Sequence, residues 1–192
     1  MPEKTVQKEP GKKPAPSKKP KPQQEVVVQI PLSELHPFPD HPFQVREDAS
    51  MQETAESVKE YGVLVPALAR PREDGGYELI AGHRRKHACE LAGLATMPVI
   101  VRNIDRDAAT IIMVDSNLQR ENILPSERAK AYKMKMEAIK RQGARTDLTS
   151  PKISAKFRSD DEVGQDAGVS GDTIRNYIAL TQLVPELQQM VD

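Results

Sequence analysis

The 192 residues contain no tryptophan, and three Phe and four Tyr are the only members of the aromatic set. Packing must therefore rest on Leu, Ile, Val, Ala and Met. Cys89 is the single cysteine, which excludes an internal disulfide and suits a reducing cytoplasm. No apolar run approaches the roughly 18–20 residues that a membrane-spanning helix needs. The N-terminal residues lack the apolar stretch of a secretory leader. A cytoplasmic location without membrane contact is the expectation. Net charge is zero, yet unevenly spread. Residues 1–24 carry seven Lys against two Glu, so the remainder is acidic by five charges. The globular part is no basic slab, and any contact with nucleic acid must come from a local patch.

Residues 1–24 also hold six Pro and only Val6 among Val, Ile and Leu. Such a segment buries too little apolar surface to offset its ordering entropy, and a disordered Lys/Pro-rich tail is expected. It would touch DNA phosphates loosely or act as a solubilising leader. Strands are predicted at 25–30, 63–70, 77–81 and 97–102, with a turn at Asp74-Gly-Gly76. Pro37, Pro39 and Pro42 impose an irregular loop. Met51, Ala55, Val58 and Tyr61 recur at helical spacing, closed by Gly62, and a second helix runs from about His83 to Ala92. Beyond Asp105 good helix formers dominate at 106–116 and 125–142; Gly143 to Lys152 is polar and reads as a linker; 153–191 is helical again. Three regions follow: the tail at 1–24, an α/β module at 25–103, and a helical module at 104–192.

Within the last region, Val163 and Ala167 lie four apart on one helix face, and Gly168 stands where the chain must turn. Val169 fills the angle, and Ser170 is a good N-cap for a second helix. Ile174, Tyr177 and Ile178 form that helix's inner face. Gly171, Asp172, Thr173, Arg175 and Asn176 are left outward. The pattern is that of a helix-turn-helix at about 160–180, whose second helix presents its early outward residues to base edges. Ser170, Thr173, Arg175 and Asn176 are the candidate DNA contacts. An ordinary helical hairpin with a glycine corner would show the same spacing.

Ala81-Gly-His-Arg-Arg-Lys-His-Ala88 stands at a strand-to-helix junction. Gly82 permits close backbone approach, the helix start offers free N–H groups, and Arg84 and Arg85 add guanidinium forks suited to phosphate. A Walker loop is excluded, since its Gly-Lys-Ser/Thr ending is missing. His83 and His87 have the spacing of a metal-ligand pair but no evident third ligand. A solvated basic helix start is the plainer reading. Further on, Asn117, Gln119 and Arg120 could face the same ligand, or merely cap their own loop with Leu118, Ile123 and Leu124 buried. Cys89 reads as a small buried residue rather than a nucleophile.

In their order these features resemble the ParB partition-protein family (ParB/RepB type). The likeness begins with Ile30-Pro-Leu-Ser-Glu-Leu35, Pro42-Phe-Gln-Val-Arg46, Gly62-Val-Leu-Val-Pro66 and Gly82-His-Arg-Arg85. It goes on through Leu91-Ala-Gly-Leu94, Pro98-Val-Ile-Val101, Asn117-Leu-Gln-Arg120 and Pro125-Ser-Glu-Arg-Ala-Lys-Ala-Tyr132. It closes with the helix-turn-helix and Leu183-Val-Pro-Glu186. The resemblance implies an α+β ParB/sulfiredoxin-like domain followed by an all-α helix-turn-helix domain. It implies double-stranded DNA as partner, at a centromere-like site used for chromosome, plasmid or mobile-element segregation. A homodimer, a ParA-type ATPase partner, and CTP with Mg²⁺ as a switch are implied as well. Carried over by motif, Gln44, Arg46, Gly62, Gly82, Arg84, Arg85, Asn117, Gln119 and Arg120 would surround the nucleotide, with Asn117 the metal ligand. Two positions depart from the family pattern: His83 replaces the Glu of Gly-Glu-Arg-Arg, and Ser116 replaces the Glu of Glu-Asn, removing a hard anionic metal ligand. Slow CTP hydrolysis is the enzymatic option. Sulfiredoxin-type chemistry is not, because no Cys stands between Gly82 and Arg84. A ParB-like transcription regulator and a nucleotide-dependent enzyme on the same fold are the alternatives.

Overall fold

The computed structural model describes residues 25–120, 122–146 and 159–192. The expected tail at 1–24, the rest of the expected linker at 147–152 and the start of the expected helical stretch at 153–158 lie outside the described residues. Five strands form one sheet: β1 (Val27–Pro31), β2 (Leu35–Pro37), β3 (Ala67–Pro71), β4 (Tyr77–Ala81) and β5 (Thr96–Val101). Their order is β1-β5-β3-β4-β2. The β1/β5 and β3/β4 pairs are antiparallel, while β3/β5 and β2/β4 are parallel. A 3₁₀ turn at Leu32–Glu34 joins the first two strands.

The helices are α1 (Ala49–Tyr61), α2 (His83–Leu91), α3 (Arg106–Leu118), α4 (Pro125–Thr146), α5 (Ser159–Ala167), α6 (Gly171–Leu180) and α7 (Pro185–Val191). Local chemistry sets their ends. Asp48 caps α1 by accepting from the Met51 amide, and Asp105 caps α3 by accepting from Ala108. Gly62 ends α1 at φ +72°, where a side chain would be strained.

Three clusters make up the core. The first joins one sheet face to α1 and α2, with Met51, Val58, Leu79, Ala88, Cys89, Met97 and Val99 at its centre. Cys89 is buried there, and burial raises its thiol pKa, as befits a packing residue. The second packs Phe38, Phe43 and Ile80 against Ala109, Met113, Val114 and Ala131, so α3 and α4 share a core with β4. This cluster draws on residues from both sides of position 103. The third joins Tyr132 of α4 to Val163 and Ile174, fastening α5 and α6 to α4.

Several expectations need correction. The irregular loop expected from Pro37 is preceded by a short strand, Leu35–Pro37, which finds a parallel partner in β4. The strand expected from 63 begins at Ala67, and 63–66 is loop. Tyr61 is 64 % exposed because α1 has by then run past the core. Gly143 does not open a linker but lies within α4, which continues to Thr146. Gly171 is buried, not outward: a Cβ there would collide with the Asp161 carboxylate of α5.

Candidate functional site

The junction between β4 and α2 is shaped by one glycine. Gly82 sits at φ +110°, and a Cβ on it would stand 2.8 Å from the Ala67 Cβ of β3. Only glycine allows the helix to start this close to the sheet. No side chain caps α2, and its first intrahelical bond runs from the Lys86 amide to the Gly82 carbonyl. The amides ahead of it are left to a ligand or water, at the positive end of the helix dipole.

Around this opening three guanidinium groups gather. Arg85 donates through Nη1 to the carbonyls of Val65 and Pro66, each at 2.6 Å, which holds the loop after Gly62 against α2. Arg84 donates to the Ser50 hydroxyl at 3.2 Å and lies 3.6 Å from the Asp48 carboxylate, linking α2 to the start of α1. Arg120 arrives from the end of α3. Burial draws its pKa down and Arg84 adds to this; Arg85 is lowered by burial and then by Arg120. Like charges held in a half-buried place are a standing demand for an anion.

Two imidazoles complete the cluster. The His41 and His83 rings lie 3.9 Å apart, centroid to centroid. His83 is pushed down to about 3, first by burial, then by His41, Arg120 and Lys86. His41 is also lowered, chiefly by burial and further by Arg120, against the opposing pull of the Phe43 carbonyl and Glu127. The Nε2 atoms of both rings are buried and meet no hydrogen-bond partner. Glu127 of α4 accepts from the Gln44 amide at 3.0 Å, and so secures the loop that carries His41.

Gly82, Arg84, Arg85 and Arg120 of the sequence-based set thus converge, and Gly62 borders an open cavity of about 360 Å³ lined by Val63, Leu64, Val65 and Arg85. Gln44 and Arg46 lie exposed on the loop before α1. Asn117 is buried, and its Nδ2 donates to the Met113 carbonyl at 2.7 Å. Gln119 instead lines a separate cavity of about 550 Å³ with Arg128, Tyr132 and Lys135. His87 faces Glu47 and Glu90 rather than pairing with His83, and among the described residues no group of three or more His, Cys, Asp or Glu is placed to hold a metal. Sequence reasoning missed His41, Asp48, Ser50 and Glu127. The sequence carries no signal for the 42-residue jump from His41 to His83.

At the other end of the molecule α5 and α6 meet at a tight corner. Gly168 takes φ +70°, and the Val169 amide donates back to the Gly164 carbonyl. A Cβ on Gly164 would stand 2.6 Å from the Val169 carbonyl oxygen, so this second glycine, also missed, fixes the approach of the two helices. Ser170 caps α6 by accepting from the Thr173 amide at 3.2 Å. Arg175 and Asn176 are exposed. Arg175 is held by the Asp160 carboxylate of α5 and by Asp172 of its own helix. Tyr177 packs edge-on against Tyr132 at 5.6 Å, so the inner face of α6 is anchored on α4.

Lys135 ties these parts together. It is fully buried on α4, and its Nζ donates to Asp115 of α3 at 2.7 Å and to Asp166 of α5 at 2.9 Å.

Known proteins share the sheet domain and the helices that follow it. The model of the ParB N-terminal domain matches residues 16–118. The chromosome-partitioning protein Spo0J of Thermus thermophilus is 35 % identical over 167 residues, covering 86 % of this chain and 55 % of that protein. Stage 0 sporulation protein J of Bacillus subtilis is 32 % identical, over 88 % of this chain and 53 % of its own length. The chain therefore spans about half the length of these relatives. A solved structure, the C-terminally truncated chromosome-partitioning protein ParB from Caulobacter crescentus complexed to the centromeric parS site, superposes with a TM-score of 0.55. It is 29 % identical and covers 84 % of this chain and 75 % of that one. With its α+β sheet domain followed by further helices, the chain belongs to the ParB N-terminal domain family.

Proposed function

We propose that this chain is a partition-type DNA-binding protein that recognises a centromere-like, parS-type duplex through α5 and α6, and that the arginine cluster at the start of α2 holds a nucleoside triphosphate, CTP, as its switch. The observation that carries the DNA reading is the α5–α6 corner. Two glycines bring the helices together, Ser170 caps the second, and its outer face is free of the core. These are the features of a helix-turn-helix. In the groove Thr173, Arg175 and Asn176 would face the bases and Ser170 the adjacent phosphate. Arg175 would then exchange Asp160 and Asp172 for the DNA. Giving up those two ion pairs would penalise its use on a poor site.

The nucleotide reading rests on Arg84, Arg85, Arg120 and the uncapped amides of α2, an array fitted to a polyphosphate chain. The cavity beside Gly62 and Arg85 is of ligand size and would take the nucleoside. Gln44 and Arg46, exposed on the loop before α1, would close over it, whereas Gln119 faces the separate cavity beside Lys135. Among the described residues no group of three or more His, Cys, Asp or Glu could hold a cation, and the Asn117 side chain is buried with its Nδ2 donating to the Met113 carbonyl. Mg²⁺ would arrive with the nucleotide, and Asn117 would have to turn outward to meet it. Dimerisation and a ParA-type ATPase partner belong to the same reading.

A salt-controlled mobility-shift assay tests it, with parS-type and scrambled duplexes. Arg175→Ala with Asn176→Ala should cost about 1–3 kcal/mol per lost base contact on the specific duplex and leave the scrambled one nearly unchanged. Equal losses on both, or none, would refute the assignment of α6.

A further inference from the structure

The His41–His83 pair is not explained by packing alone. His41 Nδ1 lies 2.7 Å from the Phe43 carbonyl oxygen. A carbonyl only accepts, so Nδ1 carries the ring proton, and in the neutral ring Nε2 is a bare lone pair. That lone pair is buried without a donor, as is the Nε2 atom of His83. Each ring is adjacent to the Arg120 charge, and His83 also to Lys86 on its own helix. Arg120 in turn lies close to Arg84 and Arg85, and Glu127 is the acid that bears on His41. An acceptor nitrogen facing phosphate oxygens is repulsive unless it gains a proton. A divalent cation on the lone pairs would have to sit among these cations, with no third ligand group among the described residues. An arriving polyanion reverses the field: it neutralises the arginines and rewards a proton on the imidazole.

We propose that His41 and His83 are phosphate-contacting residues that take up a proton when a polyphosphate binds, so that nucleotide capture is proton-linked. This rests on the nucleotide reading above and adds how the site responds to its ligand. In the free protein the low His83 pKa keeps the pair neutral near pH 7, which limits the charge stored in the empty site. Filling the site converts a lone-pair acceptor into a charge-assisted donor to a phosphate oxygen. Affinity should then rise as pH falls, by up to about tenfold per pH unit for one linked proton.

The test is isothermal titration of the full chain with CTP and Mg²⁺, and separately with inorganic tripolyphosphate. Each titration is run at pH 6, 7 and 8 in buffers of different ionisation enthalpy, which gives the number of protons taken up. The terminal phosphate of both ligands titrates near the same range, so the decisive quantity is the difference between wild type and variants. His83→Gln and His41→Gln are compared, with circular dichroism confirming that each is folded. The expected result is proton uptake in wild type exceeding that of either variant, with a steeper fall in affinity from pH 6 to pH 8, for both ligands. Equal proton counts in wild type and both folded variants, with CTP still bound, would overturn the inference and leave the nucleotide reading standing. Absence of heat with either ligand at every pH would overturn both. Heat abolished by EDTA from tripolyphosphate titrated without added Mg²⁺ would show a metal on the lone pairs and also overturn the inference.

Discussion

Removing the two partners of Lys135 should cost far more than removing Lys135 itself. The Lys135 side chain is only 1 % exposed, whereas the Asp115 and Asp166 side chains are 47 % and 57 % exposed. Burial alone would lower the Lys135 pKa, but the two carboxylates outweigh it and hold it above its ordinary value. With Asp115→Asn and Asp166→Asn combined, the buried charge loses its compensation. An uncompensated buried charge costs about 3–5 kcal/mol. With Lys135→Met the stem is replaced by an apolar chain of similar reach, and the stranded carboxylates are already solvated. The cost should be about 0–2 kcal/mol, near that of an exposed ion pair plus imperfect packing. Urea unfolding followed by circular dichroism measures both differences as midpoint shifts at unchanged slope. Because the triad joins α3 and α5 to α4, hydrogen exchange in α5 should accelerate most in the Asp double variant. Comparable losses in the two proteins, or a loss below about 1 kcal/mol in the Asp variant, would refute the reasoning that burial asymmetry governs this network.

Gly82→Ala should weaken CTP binding and lower stability by about 1–3 kcal/mol, since both the +110° φ and the 2.8 Å approach to Ala67 oppose a side chain; calorimetry and urea titration read the two effects. Gly164→Ala should spread α5 from α6 and reduce specific DNA affinity while leaving CTP binding intact, a separation visible when shift assay and calorimetry are run on the same preparation. Stability should also fall on acidification. Below pH 6.5 the unfolded His83 binds a proton that the folded ring refuses until about pH 3, so the contribution is complete above 6.5 and is lost toward 3. The slope should be at most about 1.4 kcal/mol per pH unit from this group, and His83→Gln should flatten the profile of urea midpoints between pH 7 and pH 5.

What was legible in the sequence was local. Tyr77–Ala81 and the helix starting at His83 could be read to within a residue, because Gly82 and the arginines punctuate a short apolar run. The corner at Gly168 was marked by small residues and an N-cap serine. What was not legible was pairing at a distance. Leu35–Pro37 looks like loop between prolines until β4 supplies a parallel neighbour, and no periodicity announces a three-residue strand. Gly171 had the helical phase of an outward residue, but its lack of a side chain is what admits Asp161 of α5. Of the candidate site, the two arginines and Arg120 stood out as charged groups in polar motifs. His41 and Lys135 did not, because their meaning lies in partners 42 residues away for the first, and 20 and 31 residues away for the second.

The most direct test of the central claim is a pulldown of sheared source-genome DNA with the full chain at near-physiological salt, sequenced alongside the Arg175→Ala, Asn176→Ala variant. The account predicts enrichment at one or a few short sequences sharing a common motif, lost in the variant. Even recovery across the genome, or the same peaks in both proteins, would contradict it.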